Sequence, residues 1–222
     1  MGMLTLVRHG QASFGSEDYD RLSDLGQRQC LRLGEYFRHK ERRFDTLMRG
    51  ALRRHEQSLQ ALLDGLQQPD AAVEVLPGLD EYDGDALIRA LGAQAPQALD
   101  TAEGYRGHFR LLRQALAAWM EGRIEPEGMP RYADFAAGIA QVLERVRGLQ
   151  GEVLVVSSGG PIATAIGQVL AMPVQGTIEL NMRIRNSALT EFAFNPRRHA
   201  LHSFNRLPHL EGDEYAGWIT YA

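Results

Sequence analysis

Leu4-Thr5-Leu6-Val7-Arg8-His9-Gly10-Gln11-Ala12 is the stretch from which the fold is read. Leu4 to Val7 is short and apolar, with a β-branched residue on each side of Leu6, the pattern of a buried strand. It stops abruptly at a guanidinium, an imidazole and a glycine: Arg8, His9 and Gly10. In an open α/β sheet the ligand crevice lies just beyond the carboxyl ends of the strands. An Arg-His pair there suits two jobs, with the planar fork of Arg8 holding a phosphate and His9 attacking phosphorus. A hydrogen-bonded strand-end histidine beside a surface arginine would look the same in isolation, so the rest of the chain decides.

Outward from this stretch the chain alternates strands and helices. Val153-Leu154-Val155-Val156 is the clearest buried strand. Ser157-Ser158-Gly159-Gly160 follows it, and Pro161 is expected as the first residue of a helix running from Ile162 to about Leu170. Asp45-Thr46-Leu47-Met48 reads as another strand, with a helix after Gly50 carrying Leu52, Leu59, Leu62, Leu63 and Leu66. Val73 to Leu76 reads as a third, turned by Pro77-Gly78. Ser13 to Asp20 is polar and reads as a loop. Ser23 or Asp24 then opens a helix with Leu25, Leu31, Leu33, Tyr36 and Phe37 turned inward. Basic residues from Arg38 to Arg43 complement the dipole at its end.

Residues 85–128 have a helical pattern, with Leu111, Leu112, Leu116 and Trp119, broken by Pro96 and Gly104. They interrupt the rhythm and are expected to be an insertion capping the ligand edge of the sheet. Tyr132 to Leu149 is a further amphipathic helix. Ala188 to Phe194 and Leu201 to Phe204 are two late strands joined through Asn195-Pro196, and the tail from Pro208 is left open. The alternation predicts an α/β fold: three α/β/α layers around a mainly parallel sheet, with helices on both faces. One domain over residues 1–222 is expected.

The 222 residues are 44% hydrophobic and 23% charged, which suits one soluble domain with a sizeable core. A net charge of −4 provides no global basic field to gather nucleic acid. The single cysteine, Cys30, excludes an internal disulfide and a cysteine-based zinc site. No His or Cys pair stands at ligand spacing, so neither metal nor cofactor is expected. No apolar run approaches the roughly 18 residues of a membrane span and no leader precedes the first strand, which predicts a cytoplasmic protein without a membrane partner.

Three stretches together resemble the histidine phosphatase superfamily, the phosphoglycerate-mutase-like enzymes. Leu6-Val7-Arg8-His9-Gly10 matches that family's opening motif, whose histidine becomes phosphorylated. Leu52-Arg53-Arg54-His55-Glu56-Gln57-Ser58 is similar to its Leu-x-Arg-Ala-x-Gln-Thr helix start and implies Arg54 as the second phosphate-binding arginine, with Arg53 the alternative one register away. Leu79-Asp80-Glu81 resembles its Leu-x-Glu segment and implies Glu81 as the acid, with Asp83 the fallback. Leu22-Ser23-Asp24-Leu25-Gly26 and Asn186-Ser187-Ala188 are supporting likenesses. His55, His108 and His209, like His39, His199 and His202, read as surface or capping histidines without a role.

The chemistry asks for these residue types. A phosphoryl group in flight carries charge on its equatorial oxygens, which two guanidiniums stabilise. A neutral His9 attacks, and Glu81 protonates the departing alkoxide, a role that needs a raised pKa. The chain departs from the family where its second histidine should follow Val155-Val156-Ser157, because Ser158 stands there. One hydrogen-bond donor lost at such a site typically costs roughly 10²–10³ in rate. Ser158, with the backbone N–H groups from Gly159 onward, is expected to hold phosphate, with turnover slowed; Ser158→His should then be faster. Ala12 and Gly15 stand where relatives carry Thr and Asn, which disfavours a mutase.

The function implied is hydrolysis of small phosphomonoesters through a phosphohistidine. The alternative is a catalytically impaired relative that binds a phosphorylated ligand or a protein partner. A serine hydrolase is disfavoured because Val156-Ser157-Ser158-Gly159-Gly160 lacks the first glycine of the nucleophile elbow. A P-loop is disfavoured because Pro161-Ile162-Ala163 has no Lys-Ser/Thr pair. Specificity should reside in residues 85–128 and 205–222, and an exposed sheet edge would allow a homodimer.

Overall fold

In the computed structural model, which describes residues 1–13, 20–93 and 101–221, the strands are β1 Gly2–Arg8, β2 Thr46–Arg49, β3 Glu74–Val75, β4 Gly151–Ser157, β5 Leu189–Asn195 and β6 Arg198–Arg206. The helices are α1 Asp24–His39, α2 Arg53–Leu66, α3 Gly84–Ala90, α4 Ala102–Met120, α5 Tyr132–Arg147, α6 Gly159–Leu170 and α7 Val174–Asn181. The strands form one sheet ordered β3-β2-β4-β1-β5-β6. β3, β2, β4 and β1 run parallel, whereas β5 runs antiparallel to β1 and β6 antiparallel to β5. The expected three-layer α/β fold is therefore observed, with an antiparallel pair closing one side.

Side-chain alternation divides the core into two layers. Leu4 and Leu6 of β1, Val153 and Val155 of β4 and Met48 of β2 pack against α5 and α6 through Ile139, Val142, Ile162 and Ile166. Val7, Leu154, Val156 and Leu47 point the other way, onto Leu33 and Phe37 of α1 and Leu59, Leu62 and Leu63 of α2. Each central strand is thus buried on both faces, which is why it reads as a continuous apolar run. A third cluster joins α3, α4 and α7 through Leu87, Ile88, Leu116, Trp119 and Ile178.

Several local expectations are revised. Pro161 is the third residue of α6 rather than the first. The helix starts at Gly159, and Pro161 in its first turn forfeits an N–H that would have had no partner within the helix. Leu31 is 39% exposed, because α1 meets α2 through Gly34 and the buried stripe runs Cys30, Leu33, Gly34, Phe37. Gly104 breaks nothing: it lies in the first turn of α4, donating its N–H to Thr101 Oγ at 3.0 Å. Pro96, Gly15 and most of the expected Ser13–Asp20 loop fall outside the described residues. The tail forms short 3₁₀ turns at Pro208–Leu210 and Asp213–Trp218. Among the described residues, no helix is long and apolar enough to cross a membrane.

The α1–α2 crossing sets the position of everything α2 carries. A Cβ on Gly34 would stand 2.0 Å from the Leu62 carbonyl oxygen, and one on Gly65 would stand 2.2 Å from that of Leu31. Backbone meets backbone here, so no side chain can yield. Gly34→Val is expected to lower stability by about 1–3 kcal/mol, the usual range for overpacking. Urea unfolding measures this, and an unchanged midpoint would mean that the helices separate freely.

Candidate active site

The carboxyl ends of the parallel strands converge at one edge. β1 and β4 are in register with Arg8 opposite Ser157, and the His9 N–H donates to the Ser157 carbonyl at 2.9 Å. On the other side Ser187 N and Asn186 Nδ2 donate to the His9 carbonyl at 3.2 and 3.4 Å. Gly10 N–H donates to Ser58 Oγ of α2 at 3.0 Å. The turn after β1 is therefore held from three directions. Gly10 also lies against Gly26 of α1, where a Cβ would stand 2.3 Å from a carbonyl oxygen.

His9 is 3% exposed, and its Nδ1 lies 2.7 Å from the Gly10 carbonyl oxygen. A carbonyl can only accept, so Nδ1 carries the proton and Nε2 keeps its lone pair. Burial pushes the His9 pKa well below the usual histidine range, and the charges of Arg8 and Arg54 push it further in the same direction. The ring is a neutral imidazole with a free Nε2, the form a nucleophile requires.

The two arginines reach this edge from different elements. Arg8 ends β1, and its Nη1 donates to the carbonyls of Ile184 and Tyr221, the second at 2.6 Å. Arg54 lies in the first turn of α2, with its side chain buried and its Nη1 2.7 Å from Asp20 Oδ1. Arg53, the alternative one register away, is exposed, whereas Arg54 is buried. Leu52 caps α2 without a side-chain bond. Two aspartates cap the helix instead: Asp20 Oδ2 accepts from Arg53 N at 2.8 Å, and Asp80 Oδ1 accepts from Ala51 N and Leu52 N. Asp80 Oδ1 also lies 3.7 Å from His55 Nδ1.

Glu81 faces α6. Its Oε2 accepts from Gly160 N at 3.1 Å and its Oε1 from Tyr82 N at 3.3 Å. Gly160 permits this approach, since a Cβ would stand 2.2 Å from Glu81 Oε1. Burial raises the Glu81 pKa, outweighing the opposing pull of Gly160 N–H, Arg54 and Arg8. Asp83, the fallback acid, caps α3 by accepting from Asp85 N and Ala86 N and is half exposed. Ser158 and Gly159 sit where β4 becomes α6, and Ser158 is fully buried.

The expected residues Arg8, His9, Arg54, Glu81, Ser158 and Gly159 thus meet at one edge. The reading of the histidines was incomplete. His55 is fully buried, with its ring centroid 5.8 Å from that of His9 and its Nε2 2.7 Å from Ser158 Oγ. His209 is also buried and pairs its Nε2 with Ser187 Oγ at 2.9 Å, supporting the residue that holds the His9 carbonyl. Ser187 adopts φ 56°, a left-handed conformation uncommon for serine. His108 is 8% exposed, and His39 and His202 are exposed as expected. The signal for His55 was its place between Arg54 and Ser58 on a helix whose other face is leucine; a single charged cluster hid it.

The profile of the histidine phosphatase superfamily (branch 1) matches residues 4–207. The chain belongs to that superfamily. Comparison with curated proteins by sequence yields no match. Among solved structures the chain is similar to a phosphoserine phosphatase from Entamoeba histolytica in complex with 3-phosphoglyceric acid, at 22% identity and TM-score 0.66, covering 95% of this chain and all of that one. It is similar to a phosphoglycerate mutase from Bacillus anthracis, at 17% identity and TM-score 0.64, covering 94% of each. A mycobacterial glucosyl-3-phosphoglycerate phosphatase follows at 20% identity and TM-score 0.62, covering 92% of this chain and 99% of that one. These likenesses establish the fold.

The buried histidines set a pH dependence of stability. Burial holds His209 at about 3, below the usual 6.5. Below pH 6.5 the unfolded state takes up a proton that the folded state refuses, so stability is complete above pH 6.5 and falls as pH drops toward 3. His9 and His55 act in the same direction. Each group contributes a slope of about 1.4 kcal/mol per pH unit inside its window. Urea unfolding between pH 7 and 5 should show this loss, and His209→Gln should flatten it by about one proton. An unchanged slope would mean that His209 titrates normally.

Proposed function

We propose that this chain is a metal-independent phosphatase of small phosphomonoesters, working through a phosphohistidine on His9. The observation that carries the reading is the His9 imidazole: buried, with its Nδ1–H donating to the Gly10 carbonyl, and kept neutral between Arg8 and Arg54. In the first step His9 Nε2 bonds to phosphorus as the ester P–O bond breaks, and Glu81 gives its proton to the departing alkoxide. In the second step water attacks phosphorus, its proton passes to the Glu81 carboxylate, and the N–P bond breaks to release phosphate. Arg8 and Arg54 neutralise the oxygens of the transferring group, the larger part of catalysis in such transfers. Gly159 and the start of α6 add backbone N–H dipoles to the phosphate site.

Substrates of the phosphoserine and phosphoglycerate kind are the class that the solved neighbours support. The site accounts for hydrolysis without retaining a bisphosphate, so we place mutase activity second. Ser158 offers one neutral hydrogen bond where the family carries an imidazole. A homodimer through the exposed edge strand β6 and a cytoplasmic setting complete the reading.

The test is turnover of p-nitrophenyl phosphate without added metal. His9→Ala should abolish activity and the acid-labile phosphoenzyme seen on quenching. Glu81→Gln should slow an alkyl phosphate by about 10²–10⁴, the span of general-acid catalysis, and the nitrophenyl ester far less, because nitrophenolate leaves unaided. Saturable binding of orthovanadate with no turnover by the wild type would favour the binding-module alternative instead.

A further inference from the structure

Two residues depart from the family pattern, and they touch. Ser158 stands where the second histidine is expected, and His55 stands where the Leu-x-Arg-Ala-x-Gln-Thr helix start carries alanine. They lie on different elements, α2 and the β4–α6 junction, yet His55 Nε2 is 2.7 Å from Ser158 Oγ. Neither side chain has solvent exposure.

Ordinary structural roles do not explain either one. A serine before a helix usually turns its Oγ onto the N–H groups of the first turn. Ser158 occupies that position in α6 and makes no side-chain cap bond, because its Oγ is engaged by His55 and the Glu81 carboxylate takes the Gly160 N–H. A buried imidazole loses its hydration and needs partners to compensate. His55 has one at Nε2, while its Nδ1 lies buried without a hydrogen bond, 3.7 Å from Asp80 Oδ1. The niche is shaped for it: a Cβ on Gly50 would stand 2.2 Å from His55 Nδ1 and 2.6 Å from Asp80 Oδ1.

We infer that His55 replaces the missing second histidine from the opposite wall, acting through the Ser158 hydroxyl. With a phosphoryl dianion at the site, His55 takes a second proton from solvent: its Nδ1–H faces the Asp80 carboxylate, its Nε2–H donates to Ser158 Oγ, and the serine O–H is left to donate to an oxygen of the phosphoryl group on His9. Ser158 touches the phosphoryl group. His55 is the positioning residue that orients and polarises that hydroxyl. When negative charge develops on phosphorus, the nearby Asp80 carboxylate favours positive character on the ring. This inference rests on the phosphohistidine reading above.

It also revises the expectation for Ser158→His alone. An imidazole at 158 would run into His55, whose Nε2 already lies at hydrogen-bond distance from Oγ. The productive exchange is the pair, His55→Ala with Ser158→His.

Four variants test the inference against the wild type: His55→Ala, Ser158→Ala, the double alanine, and the exchanged pair. Ser158→Ala removes one oxygen and should leave the fold intact, so the test does not depend on how well His55→Ala packs. Each single variant is expected to lower kcat by about 10²–10³ with KM changed far less. The double alanine should be no worse than either single one, since both interrupt one relay. The exchanged pair should recover to within about tenfold of the wild type.

Orthovanadate, which imitates the five-coordinate phosphoryl group, gives a readout that needs no turnover. Its affinity should fall in both single variants and fall no further in the double. Additive losses, an undiminished Ser158→Ala enzyme, or an exchanged pair as poor as His55→Ala would overturn the inference. If the wild type proves inactive, the phosphohistidine reading fails by itself. The relay is then decided by vanadate, where equal affinity in wild type, His55→Ala and Ser158→Ala overturns it.

Discussion

The structure depends on the pairing of β1 with β4. Their parallel register sets Arg8 opposite Ser157, and the His9 N–H to Ser157 carbonyl bond extends that pairing one residue past the strand. Parallel strands end at the same edge, so the two chemically unusual strand ends emerge side by side. β2 completes the edge from the other flank of β4, with Gly50 N–H bonded to the Val156 carbonyl at 3.1 Å. α2, which starts immediately after β2, is thereby aimed with its first turn at His9. No loop needs to be long for these groups to meet, because the register carries them there. A shift of one residue would reverse the alternation that buries Val153 and Val155 on one face and Leu154 and Val156 on the other. The site is therefore secured by the whole apolar core.

Within that frame the dominant effect on His9 and Glu81 is desolvation. Burial lowers the pKa of His9 and raises that of Glu81, and it is the largest cause in both. The two arginines reinforce the first effect and oppose the second. One environment thus gives a neutral base and a carboxyl group biased toward its protonated form, which is the pairing that nucleophilic attack with leaving-group protonation demands. Acidic residues around the rim serve the fold: Asp80 and Asp20 cap α2, and Asp83 caps α3. Their oxygens are taken up by backbone N–H groups at the helix starts. Glu81 differs because its burial outweighs the two N–H bonds it accepts.

The fold was legible because its evidence is local. Val153 to Val156 and Leu4 to Val7 are short, β-branched apolar runs flanked by glycine or polar residues, and that length and flanking separate them from the helices. Arg8, His9, Arg54 and Glu81 stood in separate motifs along the chain, and the structure brings them to one edge of the sheet. What escaped was anything defined by contact across the fold. Leu31 was expected inside because leucine is apolar, but the crossing of α1 and α2 through Gly34 and Gly65 excludes a bulky side chain from that line. α7 lacks a strong amphipathic pattern and is buried mainly at Thr177 and Ile178. His209 is separated from Ser187 by 22 positions, and only the return of the chain past β6 joins them.

The same reasoning explains why Ser158 looked like a loss. Taken along the chain, the position lacks an imidazole, and the cost of one missing donor follows directly. In three dimensions an imidazole is present within hydrogen-bond distance of that position, carried by α2 and separated by 103 residues in sequence. A protein that had simply lost the histidine would gain nothing by burying another one beside the gap. Burial of His55 lowers its pKa and leaves Nδ1 without a hydrogen bond, so it opposes stability unless the ring is needed. Ser158 in turn forgoes the helix-cap bond that its position offers. Two residues that each give up an ordinary stabilising role in order to meet are better explained by a shared task than by drift, and the chemistry proposed for His9 is a task that one such donor would serve.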